Sequence, residues 1–232
     1  MLIQKETEPV PETTAQEARR TASAPLARSP LTLTGETVIV DGWEYAAVAV
    51  AGPVVIADRS TLSKVQVRAA ATAEVVAAIG TRFGRAAWRG DRLVVGSGPD
   101  EWLVLGAPGA AAEIAEHLRA TAGAADPRLV DVMDLTHGRA LIRVSGPATM
   151  SLMQRVTAVD LDDRLVPNGS ALRSSLAKVV TDIVRDDQDG SPSFLLHCER
   201  SSGRYLQESL LAAGLDLGAV ADSTHPAWPD HS

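Results

Sequence analysis

The residue whose setting is most typical of a chemically active group is Asp182, which lies inside the apolar run 179–184. Alternate residues of a strand share a face, so its carboxylate is predicted to lie beside Val180 and Val184. A carboxylate among apolar neighbours has a raised pKa, which suits a general base or a hydrogen-bond partner for the N–H groups of a heterocycle. The alternative is an acid on an edge strand, where its charge prevents aggregation.

A second set of polar residues surrounds the start of the last predicted helix. Arg200 and Arg204 flank Ser201 and Ser202, and serine is a preferred residue at a helix N-terminus. Free amides and guanidinium groups together attract carboxylates, although ordinary surface charge explains the same residues. His137 lies in a predicted turn, where it is expected either to touch a ligand or to hydrogen-bond nearby backbone.

No catalytic triad, phosphate loop, dinucleotide fingerprint or metal-ligand spacing accompanies these residues. The single cysteine, Cys198, excludes an internal disulfide and a Cys-rich metal site, so a reducing cytoplasm is expected. A net charge of −7 and only 3% aromatic residues argue against nucleic-acid binding. The most apolar run, 46–57, is too short to span a bilayer, and the N-terminus lacks the pattern of a secretory signal. We therefore expect neither a nucleic-acid nor a membrane partner.

The elements that must position these residues occur twice in the sequence. Segments 58–79 and 134–156 share an acidic start, a hydroxyl residue, a basic residue, a run with strand composition and a helix. A short apolar strand pair and an amphipathic helix ending in glycine follow each segment. These patterns predict an α+β fold of two duplicated ferredoxin-like β-α-β-β-α units with pseudo-two-fold symmetry, at residues 54–123 and 129–214.

The duplication also predicts which residues are equivalent. Val65 and Val67 should occupy the places that Leu141 and either Arg143 or Val144 occupy in the second unit. Superposition of the two strands in a structure tests this register, because a shift of one residue turns every side chain to the other face.

The ends of the chain differ in composition from this central part. Residues 1–28 carry few large apolar side chains, so we expect an arm that is disordered or ordered by a partner. Residues 29–220 form the predicted domain, and residues 221–232 are predicted to be a tail, with irregular structure already from Asp216. The loop 160–173 interrupts the second unit and is either a binding surface or a solvated excursion.

Several short motifs resemble one family in order along the chain. They are DLTHGR at 134–139, SGP at 145–147 before a helix, DL at 160–161 after it, and RS at 200–201 before the helix that contains Tyr205 and Leu206. Over residues 29–220 the sequence resembles the gamma subunits of heterotetrameric sarcosine oxidases, within the folate-binding aminomethyltransferase-like family of the glycine cleavage T protein.

The resemblance implies a subunit of a flavoenzyme complex that demethylates sarcosine and passes the one-carbon unit to tetrahydrofolate. FAD, FMN and NAD are then expected on partner subunits, namely alpha, beta and delta, and this chain itself binds none of them. The segment around Asp182 resembles the one that carries the family's folate-proximal aspartate. That segment normally lies in the first half of the fold, where Asp91 is the nearest acid.

The leading hypothesis is therefore a non-catalytic assembly subunit. A second hypothesis is a stand-alone folate-dependent aminomethyl- or methyltransferase that uses Asp182, with tetrahydrofolate as its cofactor. Arg200, Arg204 and His137 are further candidates for ligand binding. The counterpart of the T protein's C-terminal domain is missing from the sequence, which favours the first hypothesis over the second. A third reading is a small-molecule binding module with no enzyme attached.

Overall fold

A computed structural model describes residues 27–70, 74–122 and 130–228. The elements of the first half are β1 Thr37–Val40, β2 Trp43–Ala46, β3 Val54–Asp58, β4 Leu62–Ala69, α1 Glu74–Ile79, β5 Ala86–Arg89, β6 Arg92–Gly98, β7 Glu101–Pro108 and α2 Ala111–Ala122. Those of the second half are β8 Val130–Asp134, β9 Arg139–Ser145, α3 Thr149–Val156, β10 Ala171–Leu176, β11 Val179–Arg185, β12 Phe194–Glu199, α4 Gly203–Ala213 and β13 Ala219–Asp222.

The first sheet has the strand order β5-β6-β7-β4-β8, and all neighbouring strands are antiparallel. Strands β6-β7-β4-β8 with the two helices have the arrangement of a ferredoxin-like unit. Val65 and Val67 alternate with polar residues along β4 and pack with α1 and α2 in one apolar cluster. Gly80 ends α1 with a φ of 60°, a left-handed conformation that favours glycine.

The second sheet has the order β10-β11-β12-β9-β3-β13 and carries α3 and α4 on its outer face. Ile142 and Val144 of β9 pack with Leu152 of α3 and Leu206 of α4 in a second apolar cluster. All pairs are antiparallel except β13 with β3, which is parallel. The predicted α+β class is confirmed.

A third apolar cluster joins the two sheets face to face. Its residues come from the inner faces of both sheets and are Leu62, Ala86, Leu93, Val95, Leu103, Leu105, Leu141, Ala171, Val184 and Leu195. Helices cover the outer face of each sheet, so the layers follow the order helix, sheet, sheet, helix. Residues at the junction of the two sheets are therefore contributed by both units.

Each sheet includes a strand from outside its own contiguous unit. β3 precedes the first unit along the chain but pairs with β9 of the second sheet, whereas β8 precedes the second unit but pairs with β4 of the first. Asp58 lies opposite Ile142, and Asp134 lies opposite Val65. The sequence repeat had assigned each of these strands to the unit that follows it.

The same pairing corrects the predicted register of the repeat. Because Asp58 and Asp134 face Ile142 and Val65, the equivalent of Val65 is Ile142, and that of Val67 is Val144. The prediction of Val144 is confirmed, but that of Leu141 is wrong by one residue. Leu141 faces the other sheet, whereas Val65 faces helices.

Two elements of the second half differ from the sequence interpretation. The predicted strand that contains Asp182 is the second strand of a hairpin that the sequence analysis did not predict, and the turn residues Ala177 and Lys178 have φ of 46° and 70°. The predicted tail from Asp216 is wrong for Ala219–Asp222, because this segment pairs with the buried strand β3. Trp228 packs against Trp88 and donates a hydrogen bond to the carbonyl of Asp91 at 2.6 Å.

The predicted arm lies mostly outside the described residues, as do residues 229–232 of the predicted tail. Ala27 and Arg28 are described, and the amide of Ala27 donates to the carbonyl of Gly42 at 2.8 Å. The helix predicted in segment 58–79 is described only from Glu74 onward. The order of the arm stays a prediction.

Candidate functional site

Asp182 lies on β11, between two strands that each supply a partner. Arg173 of β10 is opposite Asp182, and His197 of β12 is opposite it on the other side. Arg173 donates from Nε to one carboxylate oxygen at 2.6 Å, and His197 Nδ1 lies 3.1 Å from the other. The carboxylate is thus held by both neighbouring strands.

Glu101 of the first sheet extends this arrangement across the junction of the two sheets. Arg173 reaches Glu101 Oε1 at 3.0 Å, and Arg68 of β4 donates to Glu101 Oε2 at 3.0 Å. Ser97 adds a hydroxyl hydrogen bond to the same carboxylate at 3.2 Å. The result is a continuous row of alternating charges, Arg68, Glu101, Arg173 and Asp182, which ends at an imidazole. We call these residues, with His197, the junction row.

The junction row borders a cavity of about 250 Å³ between the two sheets. The other lining residues are Gln66, Arg139, Val180, Cys198 and Glu199. Arg139 forms an ion pair with Glu199, so three basic and three acidic side chains balance around the cavity. The cavity is therefore polar but carries no net charge.

The pKa of Asp182 moves in the direction opposite to the sequence prediction. Burial raises it, but the hydrogen bonds from His197 and Arg173 outweigh burial and hold the pKa below its usual value. The prediction of a raised pKa is therefore wrong, because the partners come from other strands. The edge-strand alternative is also wrong, since β11 lies between β10 and β12.

His197 is, with Arg173, Glu101 and Arg68, a residue of this site that the sequence analysis did not select. Burial lowers its pKa despite the raising influence of Asp182, so the imidazole is neutral near pH 7. With Nδ1–H donating to Asp182, Nε2 is a buried acceptor with no partner among the described residues. The sequence could have indicated His197 only through the pairing of β11 with β12, because that register places His197 opposite Asp182.

Lys64 lies fully buried on β4, next to the inter-sheet layer. Its ammonium group donates to the carbonyls of Ser60 at 2.7 Å and Leu62 at 2.8 Å. Burial lowers its pKa to about 7, against the raising influence of Asp58 and Asp134. This lysine therefore loses much of its charge near neutral pH, which no sequence pattern indicated.

The other predicted site residues lie apart from the junction row. Arg200 donates to the backbone carbonyls of Arg28 at 2.6 Å and His137 at 3.4 Å, which ties two chain segments together. His137 stacks on Trp43 with ring centroids 4.9 Å apart. Arg204 is exposed, and its nearest acid is Glu208 at 3.9 Å. None of the three lines the cavity beside Asp182.

Asp91, the nearest acid to the family's folate-proximal position in the first half, is not part of this cavity either. Asp91 is exposed in the turn between β5 and β6 and contacts Arg92 at 3.8 Å. Within residues 27–70, 74–122 and 130–228, no group of histidine, cysteine or acidic side chains is arranged to hold a metal ion. In that same part of the chain, no helix has the length and apolar composition needed to cross a membrane.

Comparisons with known proteins give one matching family model and solved structures with the same fold. A model described as the GCVT N-terminal domain matches residues 16–225. A chain of heterotetrameric sarcosine oxidase from Corynebacterium sp. U-96, solved in complex with pyrrole 2-carboxylate, is 21% identical, with a TM-score of 0.63 over 74% of this chain and 90% of that one. No curated protein sequence matches significantly.

A second solved structure has the same fold at lower identity. The glycine cleavage system aminomethyltransferase T from Bartonella henselae is 13% identical, with a TM-score of 0.67. The match covers 85% of this chain and 60% of that protein. The aminomethyltransferase-like fold predicted from the sequence is thereby confirmed.

Proposed function

Because the chain belongs to the family of the GCVT N-terminal domain, we propose that it is the non-catalytic gamma subunit of a flavin-dependent heterotetrameric sarcosine oxidase. In this role it supports alpha, beta and delta subunits, which bind FAD, FMN and NAD. The complex demethylates sarcosine in the cytoplasm and passes the one-carbon unit to tetrahydrofolate.

The observation that carries this proposal is the engagement of Asp182. Its carboxylate is bound by Arg173 and His197, so no free acid faces the cavity. The cavity of about 250 Å³ is also below the roughly 300–1,000 Å³ of typical small-molecule sites. Both facts favour a structural role over transfer chemistry.

A partner surface is available at the β1–β2 hairpin. Val38, Ile39, Val48 and Val50 are exposed in this hairpin and the segment after it, with 65% of Ile39 and 74% of Val48 accessible. A two-stranded hairpin is only marginally stable alone, and clustered exposed apolar side chains mark interaction sites. We propose that a partner subunit covers this surface.

Co-expression with the three partner subunits tests the proposal. Size-exclusion chromatography should show one complex containing the chain, and Ile39→Asp should release the chain from it. Leu165→Asp is the matched control, because Leu165 is also 65% exposed but lies in the loop before β10, at the edge of the second sheet opposite β13, whose end adjoins the hairpin. If the chain elutes alone while the others assemble into an active oxidase, the subunit proposal is wrong.

The second candidate is a folate-dependent aminomethyltransferase, which the unpartnered Nε2 of His197 beside Asp182 favours. Calorimetric titration of the purified chain with tetrahydrofolate separates the two. We expect no binding by the chain alone. Tight binding that Asp182→Ala abolishes would support the transferase and contradict the structural role.

A further inference from the structure

A cleft of about 580 Å³ lies beside β5 at the edge of the first sheet. Its walls are the end of α1, the segment 81–83, β5, Pro99 and the buried Trp102. It shares no lining residue with the cavity beside Asp182. The cleft is therefore separate from the site on which the proposed function depends.

The cleft is positively charged in a chain whose net charge is −7. Arg82, Arg85 and Arg89 line it, and no acidic residue does. Arg85 donates to the carbonyl of Asn168 at 3.3 Å, and Arg89 donates to that of Gly80 at 2.6 Å. The carbonyl of Arg82 accepts from the amide of Arg85, but its guanidinium group makes no hydrogen bond or ion pair with the described residues. The acceptors are neutral, so three positive charges have no carboxylate partner there.

The wall that carries Arg82 and Phe83 is held rigidly against β6. The amide of Gly84 donates to the carbonyl of Gly96 at 3.0 Å, and the amide of Gly96 donates to that of Arg85 at 2.8 Å. A Cβ at Gly96 would lie 2.3 Å from the carbonyl oxygen of Arg82, so only glycine permits this approach. Phe83 is 57% exposed on this fixed backbone. An exposed aromatic ring beside three arginines is thus a built feature of the fold.

We propose that this cleft binds a small ligand that carries a planar ring and an oxyanion group, either a carboxylate or a phosphate. Guanidinium groups match both anions with paired hydrogen bonds, and Arg82 is free to do so. Phe83 supplies a ring face for stacking, which aromatic pairs favour. The volume of about 580 Å³ falls within the roughly 300–1,000 Å³ of ligand sites. This inference does not depend on the proposed function.

Isothermal titration calorimetry of the full chain tests the proposal with three probes. Phenyl phosphate and benzoate carry both features, whereas inorganic phosphate carries the charge without the ring. We expect at least one ringed probe to bind about tenfold more tightly than inorganic phosphate, because ring stacking adds to the charged contacts. The stronger of the two ringed probes identifies the anion.

Matched variants locate the site. Arg82→Gln and Phe83→Ala should each weaken binding about tenfold, whereas Arg204→Gln, which removes an exposed arginine elsewhere, should leave it unchanged. Among the four tryptophan indole N–H resonances, that of Trp102 should shift on binding and that of Trp43 should not. The proposal is overturned if neither ringed probe binds, or if the Arg82 and Phe83 variants behave like the Arg204 control.

Discussion

At equivalent positions of the two sheets, the second unit has a hydrogen-bonded acid and imidazole, whereas the first unit has two leucines. Asp182 lies opposite His197 in the second sheet, and Leu93 lies opposite Leu105 in the first. The register fixes the equivalence, because Leu105 pairs with Lys64 and His197 pairs with Leu141, one residue before Val65 and Ile142. All four face the junction of the sheets.

The comparison shows that the fold does not require a polar pair at this place. Leu93 and Leu105 pack in the inter-sheet cluster, where each is 1% exposed. At another pair of equivalent positions the polar residue lies in the first unit, which has Lys64 where the second has Leu141. Each unit therefore carries its own polar group within one shared apolar layer. The pair of Asp182 and His197 is a property of the second unit and not of the duplicated architecture.

The largest effect is expected when an acid is placed in the first unit, at the position equivalent to Asp182. Leu93→Asp should lower the free energy of unfolding by about 4–5 kcal/mol, because a buried leucine is lost and a carboxylate is left without partners. Urea denaturation measures this loss. Leu165→Asp is the control, since Leu165 is 65% exposed. A similar, small loss for both variants would contradict the equivalence.

The second test makes the second unit resemble the first. Asp182→Leu should cost about 3 kcal/mol, because His197 and Arg173 lose a buried partner. Adding His197→Leu should recover most of this loss, since an apolar pair replaces the polar one as in the first unit. Urea denaturation of both single variants and the double variant gives the coupling. Strictly additive losses would show that the pair is not equivalent to Leu93 and Leu105.

Lys64, which has an apolar counterpart in the second unit, allows a pH-dependent test of the comparison. Its folded pKa of about 7 is below its ordinary 10.5, so between these values the unfolded chain binds a proton that the folded chain does not. The stability of the wild type relative to Lys64→Met should therefore rise with pH, by about 2 kcal/mol from pH 7 to 9. Below pH 7 the difference should be flat. A difference that falls as the pH rises would contradict the burial of the amine.

The smallest expected effect concerns the exposed arginine near the start of α4. Arg204→Ala should change the free energy of unfolding by less than about 0.5 kcal/mol, since its side chain is 72% exposed and its pair with Glu208 is weak. Arg200→Ala is the comparison, because Arg200 binds two backbone carbonyls. Thermal denaturation of both variants decides whether only Arg200 is structural. A larger loss for Arg204→Ala would contradict this assignment.

Local patterns predicted the elements well where the fold follows the repeat. The hairpin of β6 and β7, the helix α2 and the start and end of α4 follow from apolar spacing, turn residues and glycine caps. The hairpin of β10 and β11 was missed because Ala177 and Lys178 form its turn in place of the usual Asn-Gly. Without that turn, Arg173 could not be paired with Asp182.

The candidate site was only partly predictable, for a related reason. The sequence selected Asp182 from its own strand, but its pKa depends on Arg173 and His197, which lie on other strands. Glu101 comes from the other unit altogether. Pairing between strands and packing between sheets are long-range properties, so neighbouring residues in the sequence carry no direct signal of them.

The pairing of β3 with the second sheet has a consequence for the order in which the protein can fold during synthesis. β3 leaves the ribosome early, but its two neighbours in the sheet are β9 and β13, the last strand among the described residues. Its apolar residues Val54 and Ile56 are fully buried only in that sheet. We therefore expect the nascent first half to expose β3 until β9 has been translated, and the other edge of β3 to stay unpaired until residues 219–222 follow. We expect translation arrested before β13 to yield a protease-sensitive chain.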